Sequence, residues 1–285
     1  MKDTVAILLS TYNSEKYICE QINSILSQTY KQWKLFIRDD GSIDGTISII
    51  QNYCNKHSNI IFFESKEKNL GTRDSFLGLL KNTQGKYYMF CDHDDVWLPF
   101  KIEITYKEMK KAEQNNFDKP IIVNTDLIVV DDKLQTIHSS MWKYSGFLPD
   151  VLKSSFYYLS VCNFVNGCTM MINQKAKEIS FPVSSNATLH DNWIALKVIT
   201  SGGIIVPINM PTILYRQHKN NVCGATIFGK NYIFSKFQDL SKLYRINKIA
   251  YRMSASAGKI NIFMYCIYKV KYYIKRKSIH LIGYN

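Results

Sequence analysis

Three carboxylates stand within four residues at Asp92-His93-Asp94-Asp95. Like charges that close repel and shift one another's pKa values unless a cation sits among them. Oxygen donors of this kind select hard ions such as Mg2+ or Mn2+, held by one or two carboxylates together with substrate phosphates. The other reading is a solvated acidic turn that caps the next helix. Asp39-Asp40-Gly41-Ser42 can accept hydrogen bonds from a base or ribose, or form a turn and cap. Thr11-Tyr12-Asn13 offers a base one ring face and polar groups, or simply turns the chain from strand to helix. His190-Asp191-Asn192-Trp193 sets a carboxylate at a helix start, as a general base or as an N-cap. Tyr215-Arg216-Gln217-His218 ends an apolar run with an imidazole, a late metal ligand or a structural hydrogen-bonder. No G-x-G-x-x-G or G-x-x-x-x-G-K-[ST] is present, so a metal rather than a glycine loop has to neutralise any phosphate bound here.

The elements that position these clusters alternate from the first residues. Val5–Leu9, Leu35–Ile37, Ile60–Phe63, Tyr87–Cys91 and Ile121–Val130 are apolar strand segments. Between them, Tyr17, Ile18, Ile22, Ile25 and Leu26 recur at helical spacing, and helices are expected at Thr46–Asn55 (capped by Asp44), at Asp74–Asn82 and after Pro99. Continuous apolar strands alternating with helices mean a mostly parallel sheet buried on both faces, an α/β fold. Beyond Asp131 the rhythm loosens, with a strand near Gly167–Ile172, a helix near Asp191–Thr200 and a strand near Thr212–Arg216. Parallel sheets bind ligands beyond the carboxyl ends of their strands. The polar clusters fall at those ends, so one crevice is expected to hold them all.

The chain has 285 residues, 46% hydrophobic and 21% charged, which excludes wholesale disorder and allows one large core without staples. Seven cysteines, odd in number and never spaced C-x-x-C, argue against a zinc ribbon and for a reducing compartment. The short run Val5–Leu9 is too brief for a secretory signal, and the charge-free stretches carry too many polar and proline residues to cross lipid. Charge is unevenly spread. Residues 227–285 hold twelve Lys and Arg against Asp239 alone, which is eleven of the thirteen net positive charges. Tyr and Phe, among them Phe228, Tyr232, Phe234, Phe237, Phe263, Tyr268 and Tyr272, are interspersed with those lysines. The chain therefore divides into a near-neutral body, 1–226, and a basic aromatic tail, 227–285. Ile260, Phe263, Met264 and Ile267 share a helical face in that tail, as expected of a helix lying in the headgroup plane of an anionic membrane. The plainer alternative is a helical appendage packed on the body.

Ser10-Thr11-Tyr12-Asn13, Arg38-Asp39-Asp40-Gly41-Ser42-Ile43-Asp44-Gly45-Thr46, Asn69-Leu70-Gly71 and Asp92-His93-Asp94-Asp95-Val96-Trp97-Leu98-Pro99 together resemble the inverting family-two glycosyltransferases of the GT-A fold, over roughly residues 4–220. His190-Asp191 with Trp193, and Arg216-Gln217-His218 with Asn220-Asn221, are similar more narrowly to that family's bacterial rhamnosyltransferases. The Q-x-x-R-W element of processive synthases is absent, so the resemblance implies transfer of one sugar at a time.

It further implies that Thr11, Tyr12, Asn13, Asp39 and Asp40 contact the nucleotide's base and that Asp92 faces its ribose. Asp94 or Asp95, with His218, would hold Mg2+ or Mn2+ at the diphosphate. Asp191 would be the base, and Arg73, His190, Trp193 and Arg216 further donor or acceptor contacts. The implied donor is dTDP-rhamnose, or else a UDP-hexose. The implied acceptor is a saccharide or lipid-linked saccharide of a cell-surface polysaccharide such as O-antigen or capsule. The implied place is the cytoplasm, peripheral to the inner face of the bacterial plasma membrane, with no nucleic-acid partner. A nucleotidyltransferase would use a similar acidic pair but leaves His190-Asp191 and the tail unexplained. A nucleic-acid-binding protein explains the tail and leaves the acids idle.

Overall fold

The computed structural model describes residues 3–64, 67–219, 221, 224–227 and 240–281. Asn220 and the tail residues Phe228, Tyr232, Phe234, Phe237 and Asp239 lie outside the described residues, as does Cys223, one of the seven cysteines.

The first half is an alternation of strands and helices: β1 (Val5–Thr11), α1 (Ile18–Leu26), β2 (Trp33–Asp39), α2 (Thr46–Lys56), β3 (Ile60–Phe62), α3 (Gly71–Asn82), β4 (Tyr87–Cys91), β5 (Val96–Trp97), α4 (Lys101–Asn115) and β6 (Ile121–Val130). There follow β7 (Thr136–His138), three short helices α5 (Met141–Tyr144), α6 (Pro149–Leu152) and α7 (Phe156–Val161), a 3-10 turn at Gly167–Thr169, β8 (Met170–Asn173), α8 (Gln174–Ile179), α9 (His190–Thr200) and β9 (Ile204–Arg216). Helices α10 (Leu240–Ala257) and α11 (Ile262–Leu281) complete the described chain.

The strands form one nine-stranded sheet in the order β3-β2-β1-β4-β8-β6-β9-β5, with β7 on β6. Period two decides which layer each side chain joins. Val5, Ile7, Leu9, Tyr87, Met89 and Cys91 pack on one face against Ile18, Ile22, Ile50, Ile102 and Met109 of α1, α2 and α4. Ala6, Leu8, Tyr88 and Phe90 pack on the other against Phe76, Leu80, Trp193 and Ile194 of α3 and α9. Helices therefore cover both faces, the sandwich that continuous apolar strands require.

Strands β1 to β4 are parallel, β8 runs antiparallel to both β4 and β6, and β9 returns parallel to β6. Six strands thus end at one edge. Reversed β8 brings its amino end, with Gly167–Thr169 just before it, to that same edge. Two features depart from the sequence-based expectation. β9 is longer than Thr212–Arg216 because Pro207 and Pro211 are accommodated beside register shifts of β6 near Thr125 and Asp126, and because β5 pairs only with Ile213 and Leu214. β5 itself is two residues long and emerges directly from the acidic run.

The tail helices lie on the body. Met253, Ala257, Tyr265, Tyr272 and Arg276 are buried there, and Tyr268 stacks on Tyr157 of α7 at 4.8 Å. The helical face expected from the sequence is shifted. The helix starts at Ile262, leaving Ile260 before it, and Met264 and Ile267 are half-buried while Phe263, Val270 and Ile274 are exposed. Among the described residues no helix is long and apolar enough to cross a membrane.

Candidate active site

At the common edge lies a cleft of about 580 Å³ lined by all the polar clusters: Thr11, Tyr12 and Asn13 after β1, Asp40 after β2, Asp92 to Asp94 after β4, Gly167 before β8, His190 and Asp191 opening α9, and His218 after β9. Asp39, Arg73, Asp95, Trp193 and Arg216 do not line it.

The β1–β2 wall is built by carboxylates that act within the protein. Asp39 accepts from the amides of Gly41 (2.9 Å) and Ser42 (2.7 Å) and from the Thr11 hydroxyl (2.9 Å), fastening the turn after β2 to the end of β1. Asp40 accepts from the buried Arg38 guanidinium (2.8 Å) and from the amides of Leu70 (2.9 Å) and Gly71 (2.8 Å). It thereby caps α3, where free N–H groups favour an anion. Asp44 accepts from the Thr46 amide at 3.1 Å and caps α2 as expected. Asn13, at φ +48°, ties across to Ser42 and Ile43. These bonds leave the Tyr12 ring, 51% exposed, standing at the rim.

The acidic run splits into three environments. Asp92 is half-buried, and burial followed by repulsion from Asp94 and Asp191 pushes its carboxyl up to about 7. Asp94 faces His218, with Oδ2 2.7 Å from Nε2, and Asn221 approaches the same oxygen at 3.5 Å. Asp95 is fully buried behind them and accepts from the Arg216 amide at 3.1 Å; burial, then Asp94 and Asp92, raise its carboxyl well above the usual range. Its neighbour Cys168 is likewise held as a thiol, by burial and then by Asp95 and Asp92. Asp92, Asp95 and Cys168 each bring a potential ligand atom within 4.8 Å of the others. The buried Lys101, lowered to about 8 by desolvation, sits 4.9 Å over the Trp97 ring and 3.4 Å from the Thr212 hydroxyl, and Asp95 favours its charged form.

Arg216 works as a bracket. Its Nε donates to the Asp94 carbonyl (2.8 Å) and Nη1 to the Asp132 carbonyl (2.7 Å), while Nη2 pairs with Glu20. It also lies over the Tyr17 ring, which stacks on His218 with centroids 5.0 Å apart. This arrangement holds the imidazole against Asp94. Carboxylate and imidazole converging in a polar cleft, with further acids behind, suit Mg2+ or Mn2+. The protonated Cys168 thiol is a hydrogen-bond donor to its acids rather than a soft ligand.

Asp191 heads α9 and accepts from the Gly167 amide (3.0 Å) and the Asn192 amide (2.5 Å). Burial outweighs these bonds and lifts its carboxyl to about 6. His190 is deeper, its ring packed 4.4 Å from Phe76 and 4.9 Å from Phe90, with no hydrogen-bond partner on either nitrogen among the described residues. Burial lowers it to about 3, so the imidazole is neutral. Trp193 donates to the Ser180 carbonyl at 2.8 Å inside the core, and Arg73 forks onto Asp74 and donates to the Ala187 carbonyl.

Sequence reasoning missed Gly167, Tyr17 and Cys168 as site residues. Gly167 supplies the amide that holds Asp191, and a Cβ there would lie 2.5 Å from His190 Nε2. The Asn166-Gly167 turn signal was available for it. Tyr17 and Cys168 read as ordinary core residues.

The profile of the family described as Glycosyl transferase family 2 matches residues 6–179. An uncharacterized glycosyltransferase of Rickettsia felis is 33% identical over 153 residues, 53% of this chain and 24% of its own length. The dTDP-rhamnosyl transferase RfbG of Shigella flexneri is 28% identical over 257 residues, 85% of this chain and 83% of that protein. The chain spans from 24% to 49% of the length of the rickettsial relatives it matches. S. aureus TarS 1-349 in complex with UDP-GlcNAc superposes with a TM-score of 0.57 at 16% identity, over 93% of this chain and 79% of that fragment. Mannosyltransferase PcManGT from Pyrobaculum calidifontis, in complex with GDP-Man and Mn2+, gives 0.56 at 15%, over 90% of this chain and 74% of its own. Likeness at such identity is one of fold, and the fold is the GT-A type.

Proposed function

The chain belongs to glycosyl transferase family 2, and on that premise we propose that it moves one sugar, with inversion, from a nucleoside diphosphate donor to a saccharide hydroxyl. The observation that carries the reading is the convergence of Asp94–His218 and the raised carboxyl of Asp191 in one cleft. The GDP-Man and UDP-GlcNAc complexes of the similar folds agree with a nucleotide-sugar donor. Our choice of donor is dTDP-L-rhamnose, supported by the near full-length similarity to RfbG and by the His190-Asp191 pair with Trp193. The acceptor we favour is a lipid-linked saccharide at the inner face of a bacterial plasma membrane, in cell-surface polysaccharide assembly.

We further propose roles for the residues of the cleft. Thr11, Tyr12, Asn13 and Asp40 wall the base, with Asp39 fixing that wall from behind, and Asp92 faces the ribose. Asp94 and His218 would hold Mg2+ or Mn2+, which when bound takes up charge developing on the leaving diphosphate. Asp95 and Arg216 keep those two ligands in position. His190, neutral and without a hydrogen-bond partner among the described residues, offers a ring nitrogen to a hydroxyl of the transferred sugar.

Asp191 takes the proton of the acceptor hydroxyl as that oxygen bonds to the anomeric carbon. The bond from that carbon to the diphosphate oxygen breaks on the opposite side, and the pair of electrons leaves with the nucleoside diphosphate. One base and no enzyme nucleophile are enough for this step.

Asp191→Asn tests it. Donor binding is expected to persist while turnover falls on the order of a hundredfold or more. Released dTDP or UDP supports transfer; pyrophosphate would point to nucleotidyl chemistry, and near-normal turnover would remove Asp191 from the mechanism.

A further inference from the structure

Helix α11 has two unlike faces. One is packed on the body through Tyr265, Tyr272 and Arg276, the last donating to the Ser145 carbonyl. The opposite face carries Phe263, Val270 and Ile274, spaced seven and four residues apart and therefore aligned on one side of the helix. These three are 70%, 58% and 57% exposed. Exposed Lys277 stands beside them, exposed Lys271 and Lys275 lie between this stripe and the body over the Tyr268 and Tyr158 rings, and residues 240–281 include ten Lys and Arg and no acid.

An aligned apolar stripe of this kind calls for a cover. The absence of any acid on both tail helices narrows the cover to something negative. A surface that is apolar within and anionic at its edge matches both properties at once, because acyl chains take the stripe and acidic headgroups take the lysines. Since no described helix can cross a bilayer, the fit is to a helix lying along it.

We infer that the Phe263–Val270–Ile274 face of α11 docks the protein on an anionic lipid bilayer. The inference deepens the functional reading, whose lipid-linked acceptor would be found at that surface. Docking also has a route to the cleft. The Ser145 hydroxyl donates to the Thr226 carbonyl at 2.9 Å, and the Ala225 amide donates to Gln217 at 2.7 Å, beside His218. The seated helix is thereby anchored to the segment that presents the imidazole.

The full chain should sediment with vesicles in which about a third of the phosphatidylcholine is replaced by phosphatidylglycerol, less so as salt rises, and not with phosphatidylcholine alone. Val270→Asp with Ile274→Asp should lower that retention roughly tenfold or more, and so should Lys271→Glu, Lys275→Glu and Lys277→Glu together. Stabilisation by dTDP with Mn2+ should be the same in all of them. Retention by neither vesicle, equal retention by both, or undiminished retention of the aspartate variant overturns the inference. So does a dimer that the aspartate variant converts to monomer without any lipid binding, which would assign the stripe to a second copy. Displacement of the protein from vesicles by single-stranded RNA at physiological salt would assign the tail to nucleic acid instead. If no nucleoside diphosphate stabilises the wild type while vesicle retention behaves as expected, the transfer reading falls and the docking face stands.

Discussion

Burial raises the Asp191 carboxyl to about 6, and the Gly167 and Asn192 amides offset that only in part. A base with that pKa is protonated and idle below it, so kcat/KM is expected to climb with pH and level off above about 6, with the acid limb lost in Asp191→Asn. A pH–rate profile for nucleoside diphosphate release checks this, and a flat profile across that value would assign proton removal elsewhere. His190 makes a stability prediction. Its pKa falls from 6.5 to about 3 on burial, so the unfolded chain binds a proton that the native state refuses between those values. Stability from this residue is full above 6.5 and is lost as pH falls toward 3. His190→Phe, which suits the slot between Phe76 and Phe90, should flatten that loss when melting temperature is followed against pH. At this scale the gathering of Asp40, Asp92, Asp94, His190, Asp191 and His218 in one cleft was legible, because polar clusters at the ends of parallel strands share an edge. Gly167 was not. It acts through a main-chain amide, on a carboxylate 24 residues away, and no side-chain chemistry announces that.

Strands and helices inherit their own dependence on these side chains. The turn leaving β2 and the start of α3 are joined through Asp40, whose partner Arg38 is 4% exposed. Removing one member of a buried pair strands the other charge. Asp40→Ala is therefore expected to cost about 3 kcal/mol in a urea unfolding curve. It should also raise the donor KM, since the Thr11–Asn13 wall abuts this turn. A variant as stable as the wild type would mean that the Ser75 hydroxyl and Glu67 carbonyl suffice for Arg38. Strands β1, β2, β4 and β6 could be read from the sequence because burial on both faces leaves unbroken apolar runs. The reversal of β8 and the length of β9 could not, being decided by pairing across long stretches of chain. The two prolines of β9 are acceptable because β6 shifts register beside them and β5 pairs only further along, at Ile213 and Leu214.

For the molecule as a whole, ligand binding should couple to folding. A ligand that binds only the native state stabilises it by an amount that grows with the logarithm of its concentration once that exceeds Kd. Mn2+ with dTDP is expected to raise the melting temperature by several degrees, more than either alone, and Asp94→Ala or His218→Ala should abolish the surplus. Equal shifts in those variants would place the ion elsewhere. The charge imbalance between body and tail was visible in the sequence, but the orientation of the tail was not. Which side of α11 is covered depends on Tyr265 and Tyr272 finding sockets on the body, and a helical wheel does not show that. The backward strand β8 joins β1–β4 on one flank to β6 and β9 on the other. The pair Asp94–His218 straddles this seam, one following β4 and the other β9. A shift of that short strand would therefore respace the two side chains without touching either, so packing changes far from the cleft can tune it.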